Sequence, residues 1–515
     1  MAFHWKVLLW MVAGVVCGLA FQAFLDGPAW SGAGFSAHER GVVVSRAKGP
    51  ASKAGLAEGD VFSSAVLRRG KSDETTVALR APEDVDQAIA EIGVGGLLWL
   101  VPVAPEGTLD PAPQDPVSVT LTIDPESPRA RWIAPFEFAA DLFLALLKML
   151  IVPLVFSSIV TGVSGIGTLG DLGRLGGKTF LYYMGSSLLA ILLGQVLVNA
   201  IGPGRGAELG LTQQPASLDA DGSLWDILRR MVPANVPSAL TDNGAMLQII
   251  FFALLLGYFI TRSGEPHGTR VRGFFESFFD VMMRMAEGVL KLLPYGVFAL
   301  LVRTVAGTGF EVFKPLFVYM LTVTLALVLH AGLTLPILLK VVGRMSPVRW
   351  FRAMSPALMT AFSTSSSSMT LPVSMRTVEE RGKVSNKVTS FTLPLGATIN
   401  MDGTALYECI GVIFLAQYYT GATGFELTLA MQVEIVVLAL LASVGAAGIP
   451  SAGLVMMLTI LSALDLPVEG AALLLAVDRP LDMLRTVVNV WSDSCGAAIV
   501  ARSEGEAGPL IAGEP

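Results

Sequence analysis

Charge is scarce in this chain: of 515 residues only 15% are Asp, Glu, Lys or Arg, while 53% are hydrophobic, and the mean hydropathy is +0.63. That balance excludes a soluble multidomain protein of this length and points to a polytopic membrane protein. Cysteine is scarcer still. Cys17, Cys409 and Cys495 are odd in number, far apart and set in apolar runs, so they offer no disulfide or metal framework and read as packing residues. The four histidines (His4, His38, His267 and His330) form no H-E-x-x-H; only His330 lies deep in an apolar run, and no G-x-S-x-G accompanies it. An intramembrane metalloprotease or serine protease therefore lacks its chemistry here. A net charge of -7 and a pI near 5.3 speak against a nucleic-acid partner. No small-x-small cleavage site precedes Asp26, so the first apolar run is expected to stay as a helix rather than leave as a signal peptide.

What the chain has in quantity is apolar runs near the roughly 20 residues that span a bilayer. They lie at about Phe3–Leu25, Ala134–Gly165, Gly176–Ile201, Ala245–Thr261, Phe278–Val302, Phe313–Val342, Thr389–Tyr419 and Gly470–Ala501. Eight spanning helices are expected, in an all-α membrane body. Basic residues cluster in alternate connections, for example Arg174 with Lys178, Arg270 with Arg272, Arg349 with Arg352, and Arg381 with Lys383. Those loops, and both termini, are assigned to the cytoplasm of a cell membrane.

Between the first two helices, Ser36 to Ile123 is different in kind: strand-like runs (GVVVS, TTVALRA, VSVTLTI) surround one short helix, EDVDQAIAEI. This is a small α+β domain on the outer, periplasmic or extracellular side. Its stretch Gly49–Phe62, GPASKAGLAEGDVF, resembles the strand-turn-helix signature of a PDZ domain. The resemblance implies a fold that takes peptide C-termini by strand addition, and equally one kept for assembly or spacing. A Pro-rich stretch, PVAPEGTLDPAPQDP, interrupts the end of the domain.

Two further stretches, Trp350–Met375 and Ala430–Leu464, are apolar but broken midway by small residues and proline. Broken backbone at membrane depth is tolerated only where protein or a water-filled cavity satisfies it, and paired broken segments mark transporters with inverted repeats and a site near the midplane. They are expected to form two re-entrant hairpins, one entering from each side.

The last helix places Asp478, Asp482, Arg485, Thr486, Asn489 and Asp493 on one stripe roughly 100° wide. Each charge at a helix centre costs about 2.5 to 3.5 kcal/mol on insertion scales, so these groups must face one another, a cavity or ions. The preceding span carries NMDG. Asn400 and Asp402 offer hard oxygens, and an unwound turn at Gly403 would free carbonyls for a small cation such as sodium. The serine run Ser363–Ser368 and the stretch Tyr182, Tyr183, Ser186 and Ser187 add hydroxyls.

The stretches KMLIVPLVFSSIVTGV, SFTLPLGATINMDGTALYE, ASVGAAGIPSAG and LDMLRTVVNVWSDSCGAAIV resemble the glutamate transporter family of sodium-coupled dicarboxylate and amino-acid symporters. The resemblance covers nearly the whole chain apart from the insert. It implies a homotrimer whose protomers pair a fixed scaffold with a transport domain that moves elevator-fashion. The implied organisation is a first helix (1–30), the PDZ-like insert (36–125), scaffold and early transport-domain helices (132–345), a transport core (346–502) and a cytoplasmic tail (503–515). By motif, the resemblance assigns one sodium ion to Gly396, Asn400, Asn489 and Asp493, and a second to Thr398 with carbonyls of Ser443, Val444 and Ala446. A third falls to Tyr183, Ser186, Ser187, Asn400 and Asp402. Substrate falls to Ser365, Ser366, Ser367, Met401, Thr404, Gly448, Ile449, Gly453, Asp482, Arg485, Thr486 and Asn489.

Within that assignment Asp482 takes the amino group and Arg485 selects the side chain. A guanidinium fork suits a carboxylate, so the two together imply L-aspartate or L-glutamate rather than a neutral amino acid or a C4-dicarboxylate. No cofactor beyond sodium as coupling ion is implied. The family commonly places another arginine near the site, where this chain has Ser365 and Met483; Arg479 is the nearest substitute. Glu408 matches the proton-carrying glutamate of the animal-type members, which implies proton coupling and, with it, potassium countertransport.

Overall fold

The first apolar run folds as α1 (Phe3–Phe24). The computed structural model describes residues 3–69, 73–103, 116–166, 173–207, 209, 211, 229, 231–242, 245–423, 426–444 and 452–506. After α1 come β1 (Ala29–Trp30), β2 (Ala33–His38), β3 (Gly41–Ala47), α2 (Pro50–Lys53), β4 (Val61–Arg69) and β5 (Asp73–Ala78). The unit closes with α3 (Pro82–Ile92), β6 (Leu97–Pro102), β7 (Val117–Thr120) and β8 (Thr122–Ile123). The sheet runs β2-β3-β4-β6-β7 with β5 paired to β4, and its pairs are antiparallel.

Alternation puts Val42, Val44, Phe62, Leu98, Leu100 and Val119 in one core, capped by Val85 and Ala88 of α3. The β1–β8 pair closes the neck, so strand pairing starts at Ala29, ahead of Ser36. At the start of α3 the Asp84 carboxylate accepts from the backbone N–H of Arg80 (2.7 Å) and Ala81 (2.9 Å). Those two donors, Arg80 first, hold its pKa below the ordinary carboxylate value. Most of the Pro-rich stretch lies outside the described residues.

The helical body follows: α4 (Pro128–Ile166), α5 (Gly173–Ile201), α6 (Val236–Leu240), α7 (Met246–Arg262), α8 (His267–Leu290), α9 (Leu293–Thr308), α10 (Phe313–Leu329) and α11 (Leu335–Val341). Then come α12 (Pro347–Thr364), α13 (Ser367–Glu380), α14 (Asn386–Ile399), α15 (Asp402–Thr423), α16 (Leu429–Val444), α17 (Ala452–Ala463) and α18 (Glu469–Ser503). Among the described residues four helical stretches are long and apolar enough to cross a membrane, or five if α8 and α9 count as one bent span. α7 falls short by length, at 17 residues. α18 carries the charged stripe. Large apolar side chains such as Leu142, Leu181, Val196, Phe274 and Val281 face outward, as a lipid-facing surface requires.

Two expectations about these helices need correction. The span Phe278–Val302 is not continuous: α8 ends at Leu290 and α9 begins at Leu293, with a 50° bend between them. Pro294 sits in the first turn of α9, where a missing N–H is tolerated, and so begins a helix rather than continuing one. The second correction concerns the unwound turn. It falls at Asn400–Met401, not at Gly403, which is already in the first turn of α15.

Both broken stretches fold as helix pairs. α12 and α13 meet at Ser365, whose backbone is left-handed (φ 51°), and Ser366 caps α13 by accepting from the Met369 N–H at 3.2 Å. α16 and α17 flank residues 445–451, which lie outside the described residues. Between α10 and α11, His330–Thr334 is a π-helical turn. Pro336, which cannot donate to the preceding turn, is the second residue of α11 just after it.

Candidate functional site

The break between α14 and α15 faces the middle of α18 and α5, and the polar residues of all four converge there. Asn400 donates through Nδ2 to Asp493 Oδ1 (2.9 Å) and Ser492 Oγ (3.0 Å), while its Oδ1 accepts from Ser186 at 3.1 Å. Asp402 accepts from Ser187 and Ser492, each at 2.6 Å, and from Ser186 at 3.3 Å. His330 Nε2 lies 3.1 Å from its other oxygen edge. Tyr183 donates to the Thr392 carbonyl at 2.7 Å.

Every one of these side chains is buried. Two carboxylates thus share this buried cluster with hydroxyl, amide and imidazole groups, where an added cation would offset charge that burial otherwise penalises. Gly396 belongs to the same knot. A Cβ there would stand 2.4 Å from Asp493 Oδ1 and 2.7 Å from the Tyr183 hydroxyl, so only glycine lets the helix approach this closely.

One turn earlier on α18 lies the second half of the site. Arg485 donates to Asp482 Oδ1 through Nε (3.1 Å) and Nη2 (2.7 Å), and Nη1 is 3.3 Å from Asp478 Oδ1. Its guanidinium lies over the Tyr407 ring, 4.3 Å from the centroid. Arg479 adds a bond to Asp482 Oδ2 at 3.2 Å, so it reaches the region that Ser365 and Met483 leave without an arginine. Asn489 joins the two halves, accepting from the Gly403 N–H (2.8 Å) and donating to Thr404 (3.1 Å). The Thr486 hydroxyl is turned back onto the Asp482 carbonyl at 2.8 Å. Gly453 of α17 lies against Arg485, since a Cβ there would come within 2.8 Å of Nη1.

The serine tip contributes Ser365, Ser366 and Ser367, all buried, and the Ser365 hydroxyl has no hydrogen-bond partner among the described residues. Met401 is buried in the break itself. Glu408 is fully buried in the second turn of α15, and neither of its oxygens holds a hydrogen bond among the described residues.

The remaining predicted positions do not gather in the same way. Thr398 is exposed and its hydroxyl is turned onto the Leu395 carbonyl at 3.0 Å, so it does not join the buried cluster. Ser443 is buried with its hydroxyl on the Leu440 carbonyl, and Val444 ends α16. Ala446, Gly448 and Ile449 lie outside the described residues. Three residues join the site that the sequence reading did not single out, His330, Ser492 and Tyr407, while Asp478, already on the charged stripe, is a partner of Arg485. His330 had a signal, being the one histidine deep in an apolar run. Tyr407 had none beyond its place beside Glu408.

The profile of the sodium:dicarboxylate symporter family matches residues 127–503. The chain belongs to this family. Excitatory amino acid transporter 3 of Mus musculus is 34% identical over 421 residues, covering 71% of this chain and 79% of the relative. Excitatory amino acid transporter 2 of Mus musculus is 35% identical, covering 70% and 72%. A putative sodium-dependent excitatory amino acid transporter, glt-4, of Caenorhabditis elegans is 34% identical, covering 75% and 87%. The symporter profile begins after β8, so the sheet unit lies outside it.

Proposed function

We propose that this chain is a sodium-coupled symporter of acidic amino acids, L-aspartate or L-glutamate. The observation that carries the reading is the Arg485–Asp482 pair: opposite charges, both buried, bonded to each other where broken helices meet. Breaking a buried pair by removing one partner costs about 3–5 kcal/mol, so a ligand that enters here must replace both charges. An acidic amino acid does so, its ammonium on Asp482 and its side-chain carboxylate on Arg485. Among the described residues, a neutral amino acid leaves the guanidinium with Asp478 alone, and a dicarboxylate leaves Asp482 with Arg479 alone. The same pairing of roles agrees with the names of the relatives.

Sodium enters as the co-transported ion. Asp493, Asn400, Asn489 and the Gly396 carbonyl are proposed for one ion, and Asp402 with Asn400, Ser186, Ser187 and Tyr183 for another. The second ion of the sequence assignment rests on Thr398 and the α16–α17 tip. Because Asn400 touches Asp493 and Ser186, and Asn489 touches both the Gly403 backbone and Thr404, ion and substrate share ligands. Binding one orders the groups that hold the other. Glu408 is proposed as a proton carrier: a buried, unpartnered carboxyl is tolerable as the neutral acid and costly as an anion.

The reading extends to the assembly. Eight spans, two re-entrant hairpins (α12–α13 and α16–α17), an elevator movement of α5 and α10–α18 against α1, α4 and α7–α9, and a homotrimer are proposed on the family's pattern, with both termini cytoplasmic. The sheet unit is proposed to be PDZ-like and outside. Its β2 edge has no second strand partner among the described residues and would take a peptide C-terminus by strand addition.

Titration of purified protein with L-aspartate in sodium, potassium and choline tests the coupling. Binding in sodium alone is expected. Binding of equal strength in choline would overturn it.

A further inference from the structure

Where the sheet unit meets the helices there is a cavity of about 360 Å3. Val94, Gly95 and Thr122 of the sheet unit form its roof, and Asp141, Arg303 and Glu469 stand in its walls. Arg303 bridges two carboxylates, with Nη1 2.9 Å from Asp141 Oδ1 and Nη2 3.6 Å from Glu469 Oε1. The Asp141 side chain is 68% exposed, whereas Arg303 and Glu469 are 20% and 14% exposed. The better shielded contact is therefore the one to Glu469.

The two ends of that contact belong to differently anchored helices. Arg303 lies on α9, which is packed so closely on α1 that a Cβ at Gly14 would come within 2.9 Å of the Phe298 carbonyl, and one at Gly18 within 2.8 Å of Val305. Arg129 of α4 fastens the same end, donating to the Leu25 and Gln22 carbonyls of the α1 terminus at 2.9 and 3.0 Å. Glu469 is the first residue of α18, the helix that carries Asp482, Arg485, Asn489 and Asp493. The roof is seated on α9 and on the core of the helical body. A Cβ at Gly307 of α9 would touch Val94 at 3.7 Å, and Leu97 of β6 packs against the core of the helical body. The cavity is large enough to hold water, so the roof limits solvent around the ion pair rather than removing it, and reduced solvent access strengthens the pair.

We propose that the inserted sheet unit regulates transport: it caps the Arg303–Glu469 ion pair, and the capped pair latches α18, with the site it carries, to the α1–α4–α9 block. The inference rests on the elevator reading above, in which α18 must part from α9 in every cycle. Removing the pair releases the latch, and loosening the roof weakens it.

Variants in liposomes test this. In Glu469→Gln the rate of sodium-driven L-aspartate uptake is expected to rise about two- to fivefold, the worth of a partly shielded ion pair, with sodium-dependent binding unchanged. An unchanged or slower rate with intact binding overturns the latch. Val94→Ala should raise the rate less, and the double variant should do no more than Glu469→Gln alone, because both act through one pair. Additive effects would remove the roof from the account.

A separate variant, Arg303→Cys with Glu469→Cys, is bridged by a short, reducible bifunctional thiol reagent. Bridging should stop uptake, keep L-aspartate binding, and be reversed by reductant; continued uptake by bridged protein overturns the latch. Wild-type protein that carries no L-aspartate but does carry succinate or L-serine would indict the substrate assignment instead. The same bridging is then read with the substrate that is carried.

Discussion

Arg485 and Asp482 are one helical turn apart on α18, and Arg485 Nη2 lies 2.7 Å from Asp482 Oδ1 with both side chains buried. A guanidinium and a carboxylate that satisfy each other in this way are a matched socket for a ligand carrying the same two charges.

The selectivity of that socket is the first prediction. Arg485→Cys should lower L-aspartate uptake by at least about 100-fold, the worth of one partner of a buried pair. It should also raise uptake of L-serine or L-cysteine. Paired uptake assays in liposomes check it, and unchanged discrimination would remove Arg485 from the role of selector.

Sodium dependence should follow Asp493. In Asp493→Asn the Asn400 contact can persist but the charge does not. The sodium concentration for half-maximal uptake should rise about tenfold or more, in line with a charged hydrogen bond of roughly 1.5–3 kcal/mol. A sodium titration of the initial rate reads this directly.

Gly396→Ala carries a steric prediction. Its new methyl group would meet Asp493 Oδ1 at 2.4 Å, and the backbone of α14 would have to move. Sodium-dependent L-aspartate binding should be lost while expression and gel-filtration behaviour stay close to wild type. Wild-type binding would show that the helix can shift without disturbing the site.

The proposed proton coupling rests on Glu408, which no hydrogen bond supports among the described residues. Glu408→Gln should abolish the pH dependence of uptake, measured with the sodium gradient held constant. A variant that keeps the wild-type profile places proton coupling elsewhere.

The sheet unit has its own pH signature. Two backbone donors depress the Asp84 pKa, so the ionised form favours the folded unit. That contribution is complete above the ordinary carboxylate range and fades as pH falls through the depressed folded value. Asp84→Asn should therefore lower hydrogen-exchange protection of the α3 amides at pH 7, with the difference from wild type shrinking as pH falls toward that value.

Much of this was legible in the sequence because membrane insertion makes polar residues conspicuous. Asp482, Arg485, Asn489 and Asp493 stand out on α18 only because so much of their helix is apolar, and Asn400 and Asp402 announce a break for the same reason. Other features were hidden. The break falls at Asn400–Met401 because Asp402 suits the first turn of a new helix, whereas glycine content alone pointed to Gly403. Phe278–Val302 read as one span because hydropathy does not register a bend. Ser492 is a small residue among small residues, and only the fold turns it toward Asp402. In the sheet unit, β4 and β6 escaped notice because serines dilute one (VFSSAVLRR) and an unbroken apolar run hides the alternation of the other (LLWLVP).

The most direct measurement is uptake of labelled L-aspartate, L-glutamate, succinate and L-serine into liposomes holding the purified protein, with and without an inward sodium gradient. Sodium-driven accumulation of the two acidic amino acids, with succinate and L-serine near background, is the predicted result. Sodium-driven accumulation of succinate or L-serine with neither acidic amino acid carried would contradict the reading of Arg485 and Asp482 as a joint socket.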